Sequence, residues 1–165
     1  QAFLEVARPL GRTEDVARYE AELERSGPWP TTSSGTASGG SAATPVTGVK
    51  IGSKDNEEGK IFLEHQAWPV IAGITSQERG EASMDAVRRL LGSPYGNHLN
   101  WPAFTKVDDT VGFVTRVYPG IKENAAIFSH PNAWPIIAEA LLGRGDEAVQ
   151  FYDAILPYNQ NDNIE

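Results

Sequence analysis

From residue 61 onward, apolar positions recur every three or four residues in two pairs of segments. That spacing predicts helices with one buried face. Residues 61–74, IFLEHQAWPVIAGI, are mostly apolar and read as one helix. Residues 77–91 follow as an amphipathic one, with Met84, Val87, Leu90 and Leu91 on its inner side. The second pair starts near Asn132, a good N-cap, with Pro135 in the first turn, Ile136, Ile137, Ala140 and Leu141 at helical spacing, and Gly143 as the stop. Its partner carries Val149, Phe151, Tyr152 and Ile155, with Asp146 as the expected cap. Upstream, residues 1–9 read as the end of a helix. Thr13, Val16, Tyr19 and Leu23 begin another that runs to about Arg25.

The pairs repeat one another. HQAWPVIA, beginning at His65, is similar to HPNAWPIIA, beginning at His130, which sets His65 and Gln66 opposite the His130 region. Repeated hairpins, apolar helix first and amphipathic helix second, suggest inner and outer helices of a toroid. The predicted fold is therefore all-α, built of helical hairpins with long loops. Two stretches break the pattern. Residues 26–48 are almost all Gly, Ser, Thr, Ala and Pro, a composition that buries too little surface to offset its ordering entropy. Residues 113–117, FVTRV, read as a β-like run that ends at the Tyr118-Pro119-Gly120 turn.

Composition narrows the partners. A net charge of −8 argues against nucleic acid and anionic membrane surfaces, which need clustered Lys and Arg. An anionic ligand would have to be held by a local arrangement. The absence of cysteine excludes disulfides and thiolate metal sites, and nothing else in the sequence has metal-ligand spacing. No apolar run approaches bilayer length and no signal-peptide layout opens the chain, so a cytoplasmic location is expected.

Candidate chemistry concentrates in residues 111–147. Lys122, Glu123 and Asn124 adjoin a Pro-Gly turn, and His130 precedes a helix whose N-terminal amides favour anions. Taken alone, these residues also fit a solvated charge pair and a structural histidine. Asn124 fits a role in tying backbone groups. Tyr95, Trp101 and Phe104 suit either sugar stacking or loop anchoring, and Trp68 and Trp134 suit the core.

KENAAIFSHPNAWPIIAEALLGRGDEA, with FVTRVYPG before it, FYDAILPYNQNDNIE after it and GSKDNEEGKIFLEHQAWPVIAG upstream, resembles the glycoside hydrolase family 94 phosphorylases. The resemblance leaves out residues 26–49, where the family carries an acidic-Trp-Tyr-Arg segment. An out-of-frame translation of that segment would explain the composition there. The resemblance implies that these residues form part of one (α/α)6 barrel. It implies an inverting enzyme that cleaves a β-linked disaccharide, N,N'-diacetylchitobiose or a cellobiose-like sugar, with inorganic phosphate as co-substrate and no cofactor. The product would be an α-sugar 1-phosphate, and the full-length protein a homodimer.

By the same resemblance His130 binds phosphate, and Phe113, Val117, Lys122 and Glu123 belong to the substrate loop. Asn124 and Gln66 are placed beside them as further substrate-site candidates. Val117 and Phe113 stand where cellobiose enzymes carry a tyrosine and a glutamate, which favours an N-acetylated sugar. The catalytic acid, an aspartate, is expected outside this chain, so the chain alone is expected to be inactive. An inverting hydrolase on the same barrel and a non-catalytic helical-repeat domain are the rival readings.

Overall fold

The computed structural model describes residues 2–26 and 51–163. The Ser/Gly/Thr-rich stretch lies outside them, apart from Ser26, which ends a helix. The chain forms two compact units, divided at Thr31. The first holds α1 (Ala2–Ala7) and α2 (Thr13–Ser26) as a hairpin. Arg8 on the connection donates to Glu20 of α2 at 2.6 Å, and Arg12 pairs with Asp15.

The second unit carries the predicted repeat. Its helices are α3 (Leu63–Ile71), α4 (Gln77–Leu90), α5 (Ser129–Leu141) and α6 (Gly145–Ile155). α3 packs on α4, α5 on α6, and α3 on α5, so the two apolar helices lie side by side. Leu63, Ala67, Met84, Val87, Leu91 and Ala138 form the core, all fully buried. Gly80 of α4 packs tightly against Val70 of α3 and Leu142 after α5. A Cβ there would sit 2.9 Å from Leu142 Cδ2 and 3.1 Å from Val70 Cγ2. The described residues are predominantly helical and do not close a barrel, as expected of an all-α portion of a toroid.

Among the described residues four short strands cross the loops. β1 (Ile61–Phe62) pairs antiparallel with β4 (Asn100–Trp101), and β2 (Gly92–Ser93) with β3 (Gly96–Asn97). Residues 61–62 are thus strand, where the apolar pattern predicts helix.

α3 also ends at Ile71, short of the expected Ile74, and three further differences from expectation have a local reason. Residues 113–116 form a 3-10 helix instead of a β-like run. Thr115 Oγ1 accepts from Asp108 N at 2.9 Å and donates to Gly112 O, which curls the segment on itself. α5 begins at Ser129, three residues before Asn132, because Asn132 has its amide engaged elsewhere and caps nothing. Pro135 consequently lies inside the helix. Asp146 lies in the first turn of α6, where its charge favours the helix N-terminus, while Arg144 occupies the cap. The stop at Gly143 is as predicted: φ is +76°, and Arg144 N donates to Glu139 O at 2.9 Å.

Candidate functional site

The first turns of α3 and α5 open on a cleft of about 360 Å³ lined by Phe62, Glu64, Leu99, Val114, Glu123, Phe128, His130, Pro131 and Trp134. Aromatic and aliphatic walls around a few charged groups are the usual make-up of a small-molecule site. Among the described residues no three His, Asp or Glu side chains group to hold a metal ion.

The repeat explains how the walls meet. Phe62 and Phe128 both stand at helix N-caps with nearly the same backbone, φ −126°, ψ 133° and φ −115°, ψ 137°. Aligning them brings Trp68-Pro69 onto Trp134-Pro135 and Gln66 onto Asn132. It places Glu64, and not His65, opposite His130. The sequence similarity sets the two histidines in register, whereas the structure shifts them by one residue. The two tryptophans touch at 5.6 Å between ring centres. Trp134 packs against the core as expected and also walls the cleft, whereas Trp68 is half exposed.

His130 is exposed, and its ring stands edge-on to Trp134 at 5.2 Å and 79°. The packing orients the imidazole without consuming either nitrogen. The N–H groups of Ser129 and His130 begin the helix and have no intrahelical acceptor. Pro131 has no N–H, and Asn132 N reaches back to Phe128 O at 3.4 Å. Unused amides and an imidazole therefore share the first turn of α5.

Glu123 reaches the same cleft from a tight turn. Asn124 N donates to Ile121 O at 3.1 Å and Gly120 N to Asn124 O at 2.8 Å. Lys122 and Ala125, on either side of the Glu123-Asn124 pair, have φ of +48° and +62°. For side chains other than glycine such backbones cost about 1–2 kcal/mol each, and they cluster where function requires a fixed geometry.

Four fully buried asparagines hold this arrangement. Asn124 Oδ1 accepts from Phe104 N at 2.8 Å, while its Nδ2 donates to Phe104 O and Val117 O. Asn100 Oδ1 accepts from Ala125 N at 2.6 Å. Asn132 Oδ1 accepts from Asn97 N and Nδ2, and its own Nδ2 donates to Asn97 O and Phe128 O. Phe104, 6% exposed, is a loop anchor, whereas Tyr95 and Trp101 are exposed.

Of the residues singled out from sequence, His130 and Glu123 come together in the cleft. Phe113 is 75% exposed and lies outside its lining, as do Val117 and Lys122. Asn124 has its amide committed to the backbone, and Gln66 is buried in α3 with Oε1 unpartnered. The cleft includes Glu64, Val114 and the two N-cap phenylalanines, which sequence reasoning passed over. The Phe-to-Trp spacing common to both helices was the signal that could have found Phe62, Glu64 and Phe128.

A second set of charges lies at the far end of α5. Glu139 is fully buried, with Oε1 2.7 Å from Arg88 Nη2 and Oε2 3.1 Å from Arg144 Nε. The latter contact is close but not aligned as a hydrogen bond. Burial pushes the Glu139 carboxyl up from its ordinary value, while Arg144 and Arg88 pull it back. Arg144 also bonds Asp85 of α4 at 2.6 Å and holds that carboxyl below its usual range. The cluster joins α4, α5 and α6 away from the cleft.

The chain is similar in sequence to several known phosphorylases. An N,N'-diacetylchitobiose phosphorylase of Vibrio proteolyticus is 49% identical over 167 aligned residues, covering 100% of this chain and 21% of that protein. A solabiose phosphorylase of Paenibacillus borealis is 38% identical over 67% of the chain and 14% of its own length. A cellobionic acid phosphorylase of Neurospora crassa is 33% identical over 66% of the chain and 14% of its own length. The chain thus spans about a fifth of the length of its Vibrio relatives. Residues 1–165 match the glycosyl hydrolase 94 superfamily catalytic domain from end to end, and the chain belongs to that family.

Proposed function

We propose that this chain forms part of the catalytic domain of an inverting phosphorylase that cleaves a β-linked disaccharide with inorganic phosphate, yielding an α-sugar 1-phosphate. The observation that carries the reading is the meeting of Glu123 and His130 in one aromatic-walled cleft at the open end of α5. The names of the relatives point to the same class. The 49% identity to an N,N'-diacetylchitobiose phosphorylase, with the small Val117 in the substrate loop, favours an N-acetylated sugar.

The chemistry assigns the roles. Inorganic phosphate is already a nucleophilic anion at neutral pH, so the site needs donors to hold it in line with the anomeric carbon, not a second carboxylate to activate water. His130, with the free amides of Ser129 and His130, supplies those donors. Glu123 and Glu64 are acceptors for sugar hydroxyls, and Trp134, Phe62 and Phe128 give apolar faces for the ring. Phe113, Val117 and Lys122 shape the rim of the same site, and Asn124 supports it from beneath. Gln66 supports the α3 side. The acid that protonates the leaving oxygen is assigned to the part of the catalytic domain outside these residues. A homodimer and a cytoplasmic location complete the proposal.

The test is to incubate the whole protein carrying this segment with N,N'-diacetylchitobiose, with and without phosphate. Cleavage that requires phosphate and releases an α-sugar 1-phosphate is expected. Cleavage by water alone would indicate a hydrolase, and no binding of sugar or phosphate would indicate a non-catalytic domain.

A further inference from the structure

The strand β4 and the residues before it touch both halves of the cleft. Leu99 N donates to Ala126 O at 3.0 Å, Leu63 N donates to Leu99 O at 2.9 Å, and Phe62 pairs with Asn100. Asn97 is bonded to Asn132, two residues beyond His130. On the other side Ala125, two residues beyond Glu123, is gripped at both of its backbone polar groups. Its N–H goes to Asn100 Oδ1 at 2.6 Å, and its carbonyl oxygen lies 2.7 Å from His98 Nδ1. A carbonyl can only accept, so Nδ1 of His98 carries the proton. Packing against Trp101, 5.0 Å between ring centres, keeps the imidazole in place. Ala125 is 3% exposed and has a φ of +62°, a conformation an alanine does not hold unaided.

We propose that His98 and Asn100 are positioning residues for the candidate site: they clamp Ala125 in its left-handed backbone and so keep Glu123 in register with His130. The clamp deepens the phosphorylase reading and rests on it for the role of Glu123. Neither residue is itself part of the cleft lining, so each acts through the backbone. The segment running from Asn97 to Asn100 then works as a ruler, with Asn97 setting α5 at one end and Asn100 setting the Glu123 turn at the other.

The experiment uses the whole protein and three kinds of variant. His98→Ala removes the donor, while His98→Asn leaves an amide N–H near the Nδ1 position. Asn100→Ala removes the acceptor. Ala125→Gly, alone and combined with either loss, supplies a residue that adopts positive φ without help. The expected result is that His98→Ala lowers kcat/KM for the disaccharide roughly tenfold, the equivalent of one lost hydrogen bond. The KM for phosphate stays within about twofold, because His130 is held separately through Asn132. His98→Asn and the double variant His98→Ala/Ala125→Gly recover most of the loss.

Equal disaccharide kinetics in His98→Ala and the parent would overturn the proposal. So would a loss that neither His98→Asn nor Ala125→Gly restores. Should Asn100→Ala fail to fold, the half-buried His98 series carries the test alone. Amide exchange over residues 118–126 separates the two readings. Faster exchange of Ala125 N–H in His98→Ala, reversed in His98→Asn, supports the clamp even in a protein that shows no phosphorolysis. Unchanged exchange refutes the clamp whatever the activity.

Discussion

At its N-terminal end α5 is fixed by neutral amides, while at its C-terminal end it is fixed by charges. Asn132 and Asn97 bond reciprocally beside the cleft, fully buried. Glu139 lies equally buried between Arg88 and Arg144 at the other end. The two solutions suit different tasks. An amide pair sets distance and direction without adding charge to a cleft that already holds Glu64, Glu123 and His130. A carboxylate between two guanidiniums pulls three helices together, and the partial exposure of both arginines lowers the cost of taking the charges out of water. The contrast separates a geometric frame for the site from a structural clasp for the hairpins.

Breaking the clasp should have the largest effect on stability. Glu139→Ala leaves two partly buried guanidiniums without their shared partner and should cost about 3 kcal/mol, read as a lowered urea midpoint. KM for phosphate and disaccharide should be unchanged in the fraction that remains folded. A coupled rise in both would show that the two ends of α5 are not independent.

Asn124→Ala attacks the frame. It leaves Phe104 N, Phe104 O and Val117 O without their partner and should cost about 2 kcal/mol. Unlike the clasp variant, it should also weaken disaccharide turnover, measured as kcat/KM, because the Glu123 turn loses its anchor. Retention of full turnover would show that the frame is only structural.

The smallest effect is one of pH. Arg144 holds the Asp85 carboxyl below its ordinary value, so its contribution is present above the unfolded value of about 3.9 and is lost as pH falls through the lower folded one. Glu139, raised by burial, works in the opposite sense: its contribution is full below the unfolded value and lost as pH rises through the folded one. Asp85 is half exposed, so Asp85→Asn should reduce the acid sensitivity of the urea midpoint by only a few tenths of a kcal/mol. An acid transition unchanged by the substitution would remove Asp85 from the clasp.

How far each region was legible in the sequence follows from the same contrast. Helical spacing and the repeated Trp-Pro pair make the hairpins plain, and the Pro-Gly turn with its charged residues marks where Glu123 lies. The asparagine frame gives no such signal. Asn97 and Asn132 are 35 residues apart and Asn100 and Ala125 are 25 apart, on separate elements that no periodicity links. That hidden bond also displaced the predicted start of α5, since an asparagine committed to a distant loop cannot cap its own helix. FVTRV misleads differently. Its β-branched residues fit a strand, but with Thr115 bonding its own turn the segment closes into a 3-10 helix. Glu64 carries no such signal, because the sequence repeat sets the two histidines in register while the fold aligns the two phenylalanine caps.

The central claim is that His130 and the first turn of α5 hold the attacking phosphate. Its most direct test is the phosphate dependence of disaccharide cleavage in the whole protein with His130→Ala. Loss of a hydrogen bond to a charged group predicts a phosphate KM raised roughly ten- to hundredfold, with KM for the disaccharide altered far less. A phosphate KM equal to that of the parent would contradict the assignment.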